Sequence, residues 1–384
     1  MGRATVSISV WSGCLGPTRL LAFLAMLTGV LVGCATRPGP ELLTPIASSS
    51  TEKSMNLYVA TTRERSDPST NVFTANRADT LNFGKFVVSV PRGRKAGSLD
   101  LSKGASDLQQ DFAVVTQTVM SESDFQTAVA PKTARQRKKH NILLFVHGFN
   151  SNFQESLFRL AQLQADMKFE GDAILFSWPS QGEVTAYAAD QQAAANSRGQ
   201  FAALLSMLTD SAAVGEITLL AHSMGSMLTM ASLQQLRSEG KDRVIARLGR
   251  VVLAAPDIDA YAFGAQVRAV GPLTSPLLVL VSKDDGALGL SSFLAGSFAR
   301  AGALDIDNPI VRQAALREKV QIVDISRLTA HDDFKHNQFI SIAVLYSALQ
   351  REAAPYRNTP GTFIFTEGTP TLIQPVDIGG GVQH

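Results

Sequence analysis

The sequence predicts an α/β fold, a doubly wound and mostly parallel sheet flanked by helices, without a large cap domain. Short apolar runs such as Ile142 to Val146 alternate along the chain with helical patterns such as Phe153 to Met167. These runs are apolar throughout, which is typical of strands buried on both faces of a parallel sheet that helices cover. The chain has 384 residues, of which 45% are hydrophobic and 18% charged, as expected for a globular protein with a large core.

The predicted strands and helices follow one another in a regular order. Two strand-like stretches come first, Leu57 to Thr61 and Lys85 to Val90. After Ile142 to Val146, strands are predicted at Ala173–Phe176, Ile217–Leu220, Val251–Ala255, Leu277–Val281 and Val320–Ile325, and helices at Val184–Leu208 and Phe339–Leu349. Ligands on such sheets bind beyond the carboxyl ends of the strands, so the residues that follow each strand are the first candidates for a site.

The pentapeptide Ala221-His222-Ser223-Met224-Gly225 lies between a predicted strand and a predicted helix and has the pattern of a nucleophile elbow. Small residues two positions before and after the serine let the strand and helix pack closely. The hydroxyl of Ser223 is then raised above the sheet edge, next to a helix N-terminus that favours negative charge. Ala221 replaces the more usual glycine, so an ordinary strand-to-helix turn is the alternative interpretation.

A nucleophilic serine needs a histidine as general base, and two of the six histidines follow the last predicted strand, His331 and His336. The chain order serine, acid, histidine favours this position. Spacing does not separate the two, and His336 is preferred because it stands just before the final helix. The other four histidines are expected to be badly placed or to point away from the serine: His140, His147, His222 and His384.

Carboxylates that could orient the histidine follow two strands. Ser282-Lys283-Asp284-Asp285 comes after Leu277 to Val281, and Asp285 is preferred over its neighbour Asp284. Asp257, which follows the preceding strand, is the alternative acid, although a role in shaping the pocket or capping the next segment is favoured.

Two backbone N–H groups are expected to form an oxyanion hole. One belongs to Met224, the residue after the nucleophile, and the other to Phe149 in the turn His147-Gly148-Phe149-Asn150 after Ile142 to Val146. The side chain of Phe149 can line the pocket while its backbone donates.

Several short motifs between Leu57 and Leu349 together resemble the α/β-hydrolase superfamily, and more narrowly a bacterial esterase/lipase-like lineage often labelled as a domain of unknown function. The motifs are Tyr58-Val59-Ala60-Thr61-Thr62-Arg63, His147-Gly148-Phe149-Asn150, Phe176-Ser177-Trp178-Pro179-Ser180, Tyr187, Asp190 and the elbow. The runs around Ser282–Leu288 and Phe334–Phe339 also resemble the acid and histidine loops of these hydrolases. The resemblance implies that Trp178, Tyr187 and His147 lie near the substrate pocket, whereas a plain core position is the alternative for Trp178.

The N-terminus has the pattern of an export signal over residues 1–33. Arg19 precedes the apolar run Leu20 to Leu31, and the ending Leu31-Val32-Gly33-Cys34 resembles a lipobox. Cys34 is then expected to be lipidated and to begin a flexible tether over residues 34–54. This implies a cell-envelope location, as an outer-membrane lipoprotein facing the periplasm or the outside, with a secreted or periplasmic soluble protein as the alternative.

The remaining segments are a hydrolase domain over residues 55–350 and a tail over residues 351–384, where Pro, Gly and Thr favour loose order. Cys14 and Cys34 are the only cysteines, so no disulfide is expected after signal removal. Loss of Arg3 and Arg19 with the signal lowers the formal net charge from +2 to zero, which argues against a nucleic-acid partner.

These patterns predict a serine hydrolase that cleaves small or medium carboxylic esters through Ser223, His336 and Asp285 and an acyl-enzyme. No metal or cofactor is expected, because the chain has no H-E-x-x-H, P-loop or G-x-G-x-x-G pattern. An acyltransferase or amidase with the same triad, and a non-catalytic envelope-anchored binding protein, remain alternatives. The oligomeric state is left open by the sequence.

Overall fold

One eleven-stranded sheet organises the part of the chain that the computed structural model describes, which is residues 37–47, 53–99, 101, 111–130, 139–294, 299–329, 335–344, 356, 358–366 and 369–373. The strands are β1 (Ser54–Arg65), β2 (Phe73–Ser89), β3 (Ala113–Met120), β4 (His140–Val146), β5 (Asp172–Ser177), β6 (Val214–His222), β7 (Leu248–Ala254), β8 (Leu277–Val281), β9 (Val320–Asp324), β10 (Gly361–Thr366) and β11 (Thr369–Ile373). Their spatial order is β11-β10-β9-β8-β7-β6-β4-β5-β1-β2-β3.

The α-helices pack on both faces of this sheet. They are α1 (Glu122–Val129), α2 (Phe153–Met167), α3 (Tyr187–Asn196), α4 (Arg198–Asp210), α5 (Met224–Ser238), α6 (Asp242–Ala246), α7 (Ala260–Val270), α8 (Gly286–Leu294) and α9 (Pro309–Arg317), and residues 339–344 are also helical. Short 3₁₀ turns occupy Pro40–Leu43, Val184–Ala186 and Ala301–Ala303.

All strand pairs from β1 through β5, β4, β6, β7, β8 and β9 to β10 are parallel, and antiparallel strands lie only at the two margins. Along β4, Leu144 and Val146 belong to the hydrophobic cluster on one face, and Leu143 and Phe145 to the cluster on the other. A strand that is buried on both faces must be apolar at every position, which explains the continuous apolar runs. The predicted doubly wound α/β fold is therefore confirmed.

Local sequence signals account for the limits of several elements. Helix α2 begins after Asn152, whose side chain accepts a hydrogen bond from the N–H of Glu155 while the Glu155 carboxylate accepts from the N–H of Asn152. The predicted helix Val184 to Leu208 is instead divided into a 3₁₀ turn, α3 and α4. Ser197 separates the two α-helices, and its hydroxyl lies 2.8 Å from that of Thr62 on β1.

Strands β3, β10 and β11 do not follow from the sequence pattern. Only Ala113 and Val114 of β3 are buried, and Thr116, Gln117 and Thr118 interrupt its apolar residues, so no clear strand pattern stands out. Strand β10 pairs in parallel with β9, and β11 forms a hairpin with β10. Part of the segment for which the sequence predicts loose order is thus integrated into the sheet.

The predicted signal 1–33 and Cys34 lie outside the described residues. Within the described ranges, no helix combines the length and the apolar character that crossing a membrane requires.

Replacement of Phe363 tests whether the β10–β11 hairpin contributes to the stability of the fold. The Phe363 side chain is 2% exposed and contacts the ring of Tyr356 at 5.9 Å. We expect Phe363→Ala to lower the free energy of unfolding by about 3 kcal/mol or more, because a large buried ring leaves a cavity.

Urea denaturation measures this loss, with Thr371→Val on the exposed side of β11 as the matched control. The control should change the free energy of unfolding by less than about 0.5 kcal/mol. Equal unfolding midpoints for the two variants would contradict the placement of Phe363 in the core.

Candidate active site

Ser223 occupies a sharp turn between β6 and α5. Its backbone has φ 51° and ψ −121°, a conformation that residues other than glycine rarely adopt. Hydrogen bonds from the Ser223 N–H to Ala254 O (2.9 Å) and from the Asp257 N–H to Ser223 O (3.3 Å) hold this strained residue against the end of β7. The turn therefore has the geometry that the elbow motif predicts, and the sequence neighbours of Ser223 are fixed with it.

Two glycines make room for this turn. A Cβ on Gly225 would lie 2.4 Å from His147 O, and a Cβ on Gly148 would lie 2.9 Å from both His222 Nδ1 and Ser223 Cβ. Side chains at these positions would push the loop after β4 away from the elbow. Close approach between the two loops, rather than a left-handed conformation of these glycines, is what requires them.

His336 and Asp285 form a direct hydrogen bond, with 2.7 Å between Nδ1 and Oδ2. The side chain of Asp285 is fully buried, and its Oδ1 accepts the N–H of Leu288 at 3.0 Å. Asp284 is instead 51% exposed, with its carboxylate 3.9 Å from Lys335 Nζ. The structure therefore brings Asp285 rather than Asp284 to His336, while the alternative base His331 lies outside the described residues.

His222 does not point away from the site, as its position beside the nucleophile led us to expect. Its ring packs against the rings of His336 and Phe339, with 4.5 Å between centroids in each pair. Burial is the largest cause that lowers the pKa of His222 well below its ordinary value, and the nearby His336 is the second. The ring is therefore neutral. The His336 loop folds over the end of β6, a contact between distant segments that local sequence cannot reveal.

Phe149 and Met224 lie at the two positions predicted for the oxyanion hole. Phe149 lies in the loop after β4, which approaches the elbow closely at Gly148. Met224 is the first residue of α5. Within the described part of the chain, neither N–H group finds an acceptor. Two N–H groups on adjoining loops, one at a helix N-terminus, are suited to bind a developing negative charge.

A buried arginine on β1 fixes the loops around this site. The guanidinium of Arg63 donates to Ser177 Oγ (2.9 Å), Ser180 O (3.0 Å) and Ser151 O (3.0 Å). Arg63 is 2% exposed, and burial lowers its pKa to about 10, which leaves it charged at neutral pH. It therefore ties the loops after β4 and β5 to β1.

Asp190 on α3 completes this support. Its carboxylate accepts from the Ser180 hydroxyl, from the N–H of Gln181 at 2.7 Å and from the N–H of Asn150 at 3.4 Å. Because Asn150 directly follows Phe149, the carboxylate constrains the predicted oxyanion loop. Arg63 and Asp190 occur in the motifs that carry the family resemblance, but the sequence alone assigns them no role. The available signal is the charge of Arg63 soon after an apolar strand pattern, and Asp190 has no comparable signal.

His147 and Trp178 form a buried pair behind the site. Their rings stack at 4.9 Å, and the indole N–H of Trp178 donates to His147 O at 2.9 Å. His147 is 2% exposed and Trp178 is fully buried, so both support the loops from within the core. This placement favours the core alternative for Trp178 over a wall of an open pocket.

Tyr187 and Asp257 form a polar cluster with Ser291 and Arg300 next to the elbow. The Tyr187 hydroxyl donates to Asp257 Oδ2 (3.0 Å), Ser291 Oγ donates to Asp257 Oδ1 (2.8 Å), and Arg300 Nε lies 3.3 Å from that same oxygen. Tyr187 also meets Phe149 edge to face at 5.2 Å. The carboxylate of Asp257 thus already interacts with Tyr187 and Arg300. This position fits the expected role of Asp257 in shaping the pocket better than the role of triad acid.

Within the described ranges, no group of three or more His, Cys, Asp or Glu side chains is arranged to hold a metal ion.

The lowered pKa of His147 predicts how the stability of the protein depends on pH. Burial and the charge of Arg63 lower its pKa to about 3, whereas a histidine in an unfolded chain titrates near 6.5. Between these values the unfolded chain binds a proton that the folded protein excludes, so the free energy of unfolding falls as the pH drops below about 6.5. The slope for one such proton is about 1.4 kcal/mol per pH unit.

His147→Gln removes the titrating ring and keeps an amide oxygen that can accept the backbone N–H of Trp178, which donates to His147 Nε2 at 3.2 Å. We expect a shallower loss of stability between pH 7 and pH 5 than in the wild type, measured by urea denaturation at each pH. A wild-type slope in the variant would show that His147 accepts a proton within the folded protein.

Comparison with known proteins agrees with the architecture. No curated protein matches the chain. A solved structure described as a lipase-esterase related protein from Clostridium acetobutylicum ATCC 824 is 14% identical and covers 61% of this chain and 88% of its own, with a TM-score of 0.24. A family model matches residues 121–352, which include every residue of the site from Phe149 to His336. The chain belongs to the family described as alpha/beta hydrolase of unknown function (DUF900).

Proposed function

We propose that this protein is a serine hydrolase that cleaves carboxylic esters through an acyl-enzyme on Ser223. The observation that carries the proposal is the 2.7 Å hydrogen bond between His336 Nδ1 and buried Asp285, made where the His336 ring packs on the residue preceding Ser223. A carboxylate at Nδ1 leaves Nε2 as the acceptor that a general base requires. Membership of the hydrolase family supports hydrolysis, and the ester substrate is our inference.

The proposed reaction begins when His336 Nε2 takes the hydroxyl proton of Ser223 as Oγ attacks the carbonyl carbon of the ester. The carbonyl oxygen becomes negative and accepts hydrogen bonds from the N–H groups of Phe149 and Met224. The C–O bond to the alcohol then breaks, and His336 returns the proton to the leaving alkoxide. Asp285 stays ionised throughout and stabilises the imidazolium that forms between the two transfers.

The second half of the reaction releases the acid. A water molecule attacks the acyl-enzyme while His336 accepts its proton, and the C–O bond to Ser223 Oγ then breaks with return of that proton to the serine. An alcohol or amine in place of water would give acyl transfer by the same steps. Adding a competing alcohol during turnover and comparing ester formation with acid release distinguishes the two outcomes.

The first prediction for this function concerns Ser223. A fluorophosphonate probe should label the purified protein at Ser223, because the probe's phosphorus is attacked as an ester carbonyl would be. Ser223→Ala should lose labelling and lower the turnover of p-nitrophenyl esters by about 10⁴-fold or more.

Ser226→Ala is the matched control, because Ser226 lies one helical turn away and donates its hydroxyl to Ala221 O. It should label at the wild-type rate. Folded wild-type protein that neither labels nor turns over esters would favour the alternative of a binding protein on a hydrolase fold.

A second prediction distinguishes Asp285 from its neighbour Asp284. Asp285→Asn should lower kcat on p-nitrophenyl acetate by about 10³- to 10⁴-fold, because an amide no longer favours the tautomer with the proton on Nδ1. Asp284→Asn, its exposed neighbour, should remain within about twofold of the wild type.

The same assay compares His336→Ala with His331→Ala. We expect the first to be inactive and the second active. The reverse result would move the role of the base to His331.

A further inference from the structure

The histidine that directly precedes the nucleophile is held by contacts with two other segments of the chain. His222 ends β6, is 9% exposed, and its ring packs against the rings of His336 and Phe339. Its Nε2 is 3.3 Å from the backbone oxygen of His336. A Cβ on Gly148 would lie only 2.9 Å from His222 Nδ1, so the loop after β4 approaches this nitrogen closely.

These contacts define which nitrogen of His222 carries the proton. A carbonyl oxygen only accepts, so the hydrogen bond to His336 O requires a proton on Nε2. Burial keeps the ring neutral, which leaves Nδ1 without a proton. The ring is thus a single-proton donor aimed at the main chain of the predicted base.

His336 is therefore attached at two points by two different strands. Asp285, after β8, holds its side chain through Nδ1, and His222, at the end of β6, holds its main chain through the carbonyl oxygen. The first bond sets how the imidazole is turned. The second sets how far its backbone lies from the strand that presents Ser223, a distance that the Asp285 bond alone leaves free.

We propose that His222 is a positioning residue for the reaction: its Nε2–H bond to His336 O fixes the base at working distance from Ser223. The inference rests on the proposed function for its kinetic consequences, but the bond itself and its effect on the His336–Asp285 pair do not require a known substrate. His222 neither receives the proton of Ser223 nor touches the substrate carbonyl in this scheme.

The test compares two substitutions that differ in one hydrogen bond. His222→Phe keeps a planar ring against His336 and Phe339 but has no donor. His222→Gln places an amide N–H where the Nε2–H of histidine lies. We expect His222→Phe to lower kcat for p-nitrophenyl acetate by about 10- to 100-fold with KM little changed, since a small displacement of a reacting group has effects of this size. We expect His222→Gln to recover most of that loss.

His222→Asn provides a second comparison in case the phenylalanine variant does not fold. Its amide is too short to reach His336 O, so it should behave like His222→Phe in kcat. Circular dichroism and urea denaturation identify the variants that are folded. Equal kcat in His222→Gln and in the folded variants that lack the bond would overturn the proposal.

A double variant tests whether the two attachment points act on the same imidazole, which a purely structural role of His222 would not require. If His222 and Asp285 position one imidazole, the combined His222→Phe/Asp285→Asn variant should lose clearly less activity than the product of the two single losses. Multiplicative losses would show that His222 acts independently of the base and would contradict the proposal.

An NMR measurement separates failure of this inference from failure of the proposed function. The proton shared by His336 Nδ1 and Asp285 should give a strongly deshielded signal in the wild type and in His222→Gln, and this signal should broaden or vanish in His222→Phe or His222→Asn. If it does so in a protein that hydrolyses no ester, His222 positions His336 and the proposed function is wrong. If esters are hydrolysed and the signal is the same in all variants, the role of His222 is wrong.

Discussion

The left-handed turn at Ser223 is the constraint around which the surrounding loops are arranged. A non-glycine residue in this backbone region costs about 1–3 kcal/mol, and it persists only where neighbouring structure holds it. Here the strain is balanced by backbone bonds to Ala254 and Asp257 and by the close fit of Gly148 and Gly225. The loops after β4 and β7 are therefore brought to the serine by the same packing that holds its backbone, and the predicted oxyanion donor Phe149 arrives with the loop after β4.

Buried charged side chains hold the loops around the site in place. Arg63 and Asp190 are both buried, and most of their partners are main-chain groups or serine hydroxyls in the loops after β4 and β5. Loops at a sheet edge have many backbone groups that no strand partner satisfies, and buried charges with several hydrogen bonds can satisfy them strongly. The network gives these connections the rigidity of regular secondary structure without a regular hydrogen-bond pattern.

The sequence predicts the centre of this fold far better than its margins. Helix α2 and strand β8 have the predicted limits because a capping box and a fully apolar run are local signals. β3 and β10 escape prediction because polar residues interrupt the apolar ones in β3, and threonine and glycine are frequent in β10. Both become strands only by pairing with neighbours distant in the chain.

A similar division applies to the candidate site. Ser223, Asp285 and the loop of Phe149 can be selected from the sequence because each follows an apolar strand. The choice of His336 over His331 is not decided by spacing, and contacts such as that between His222 and His336 depend on how loops from separate strands meet. Sequence patterns therefore locate chemical groups along the chain, while partnerships between those groups require the assembled sheet.

The position of β10 has a consequence for the order in which the molecule becomes complete. β9 and β10 are parallel neighbours, so His336 belongs to the crossover that joins them, and this crossover closes only when residues after 360 have added to the sheet. The residues of the serine turn and of the Phe149 loop are synthesised long before that moment. The imidazole of His336 would therefore reach its final position last, after most of the polypeptide has been synthesised.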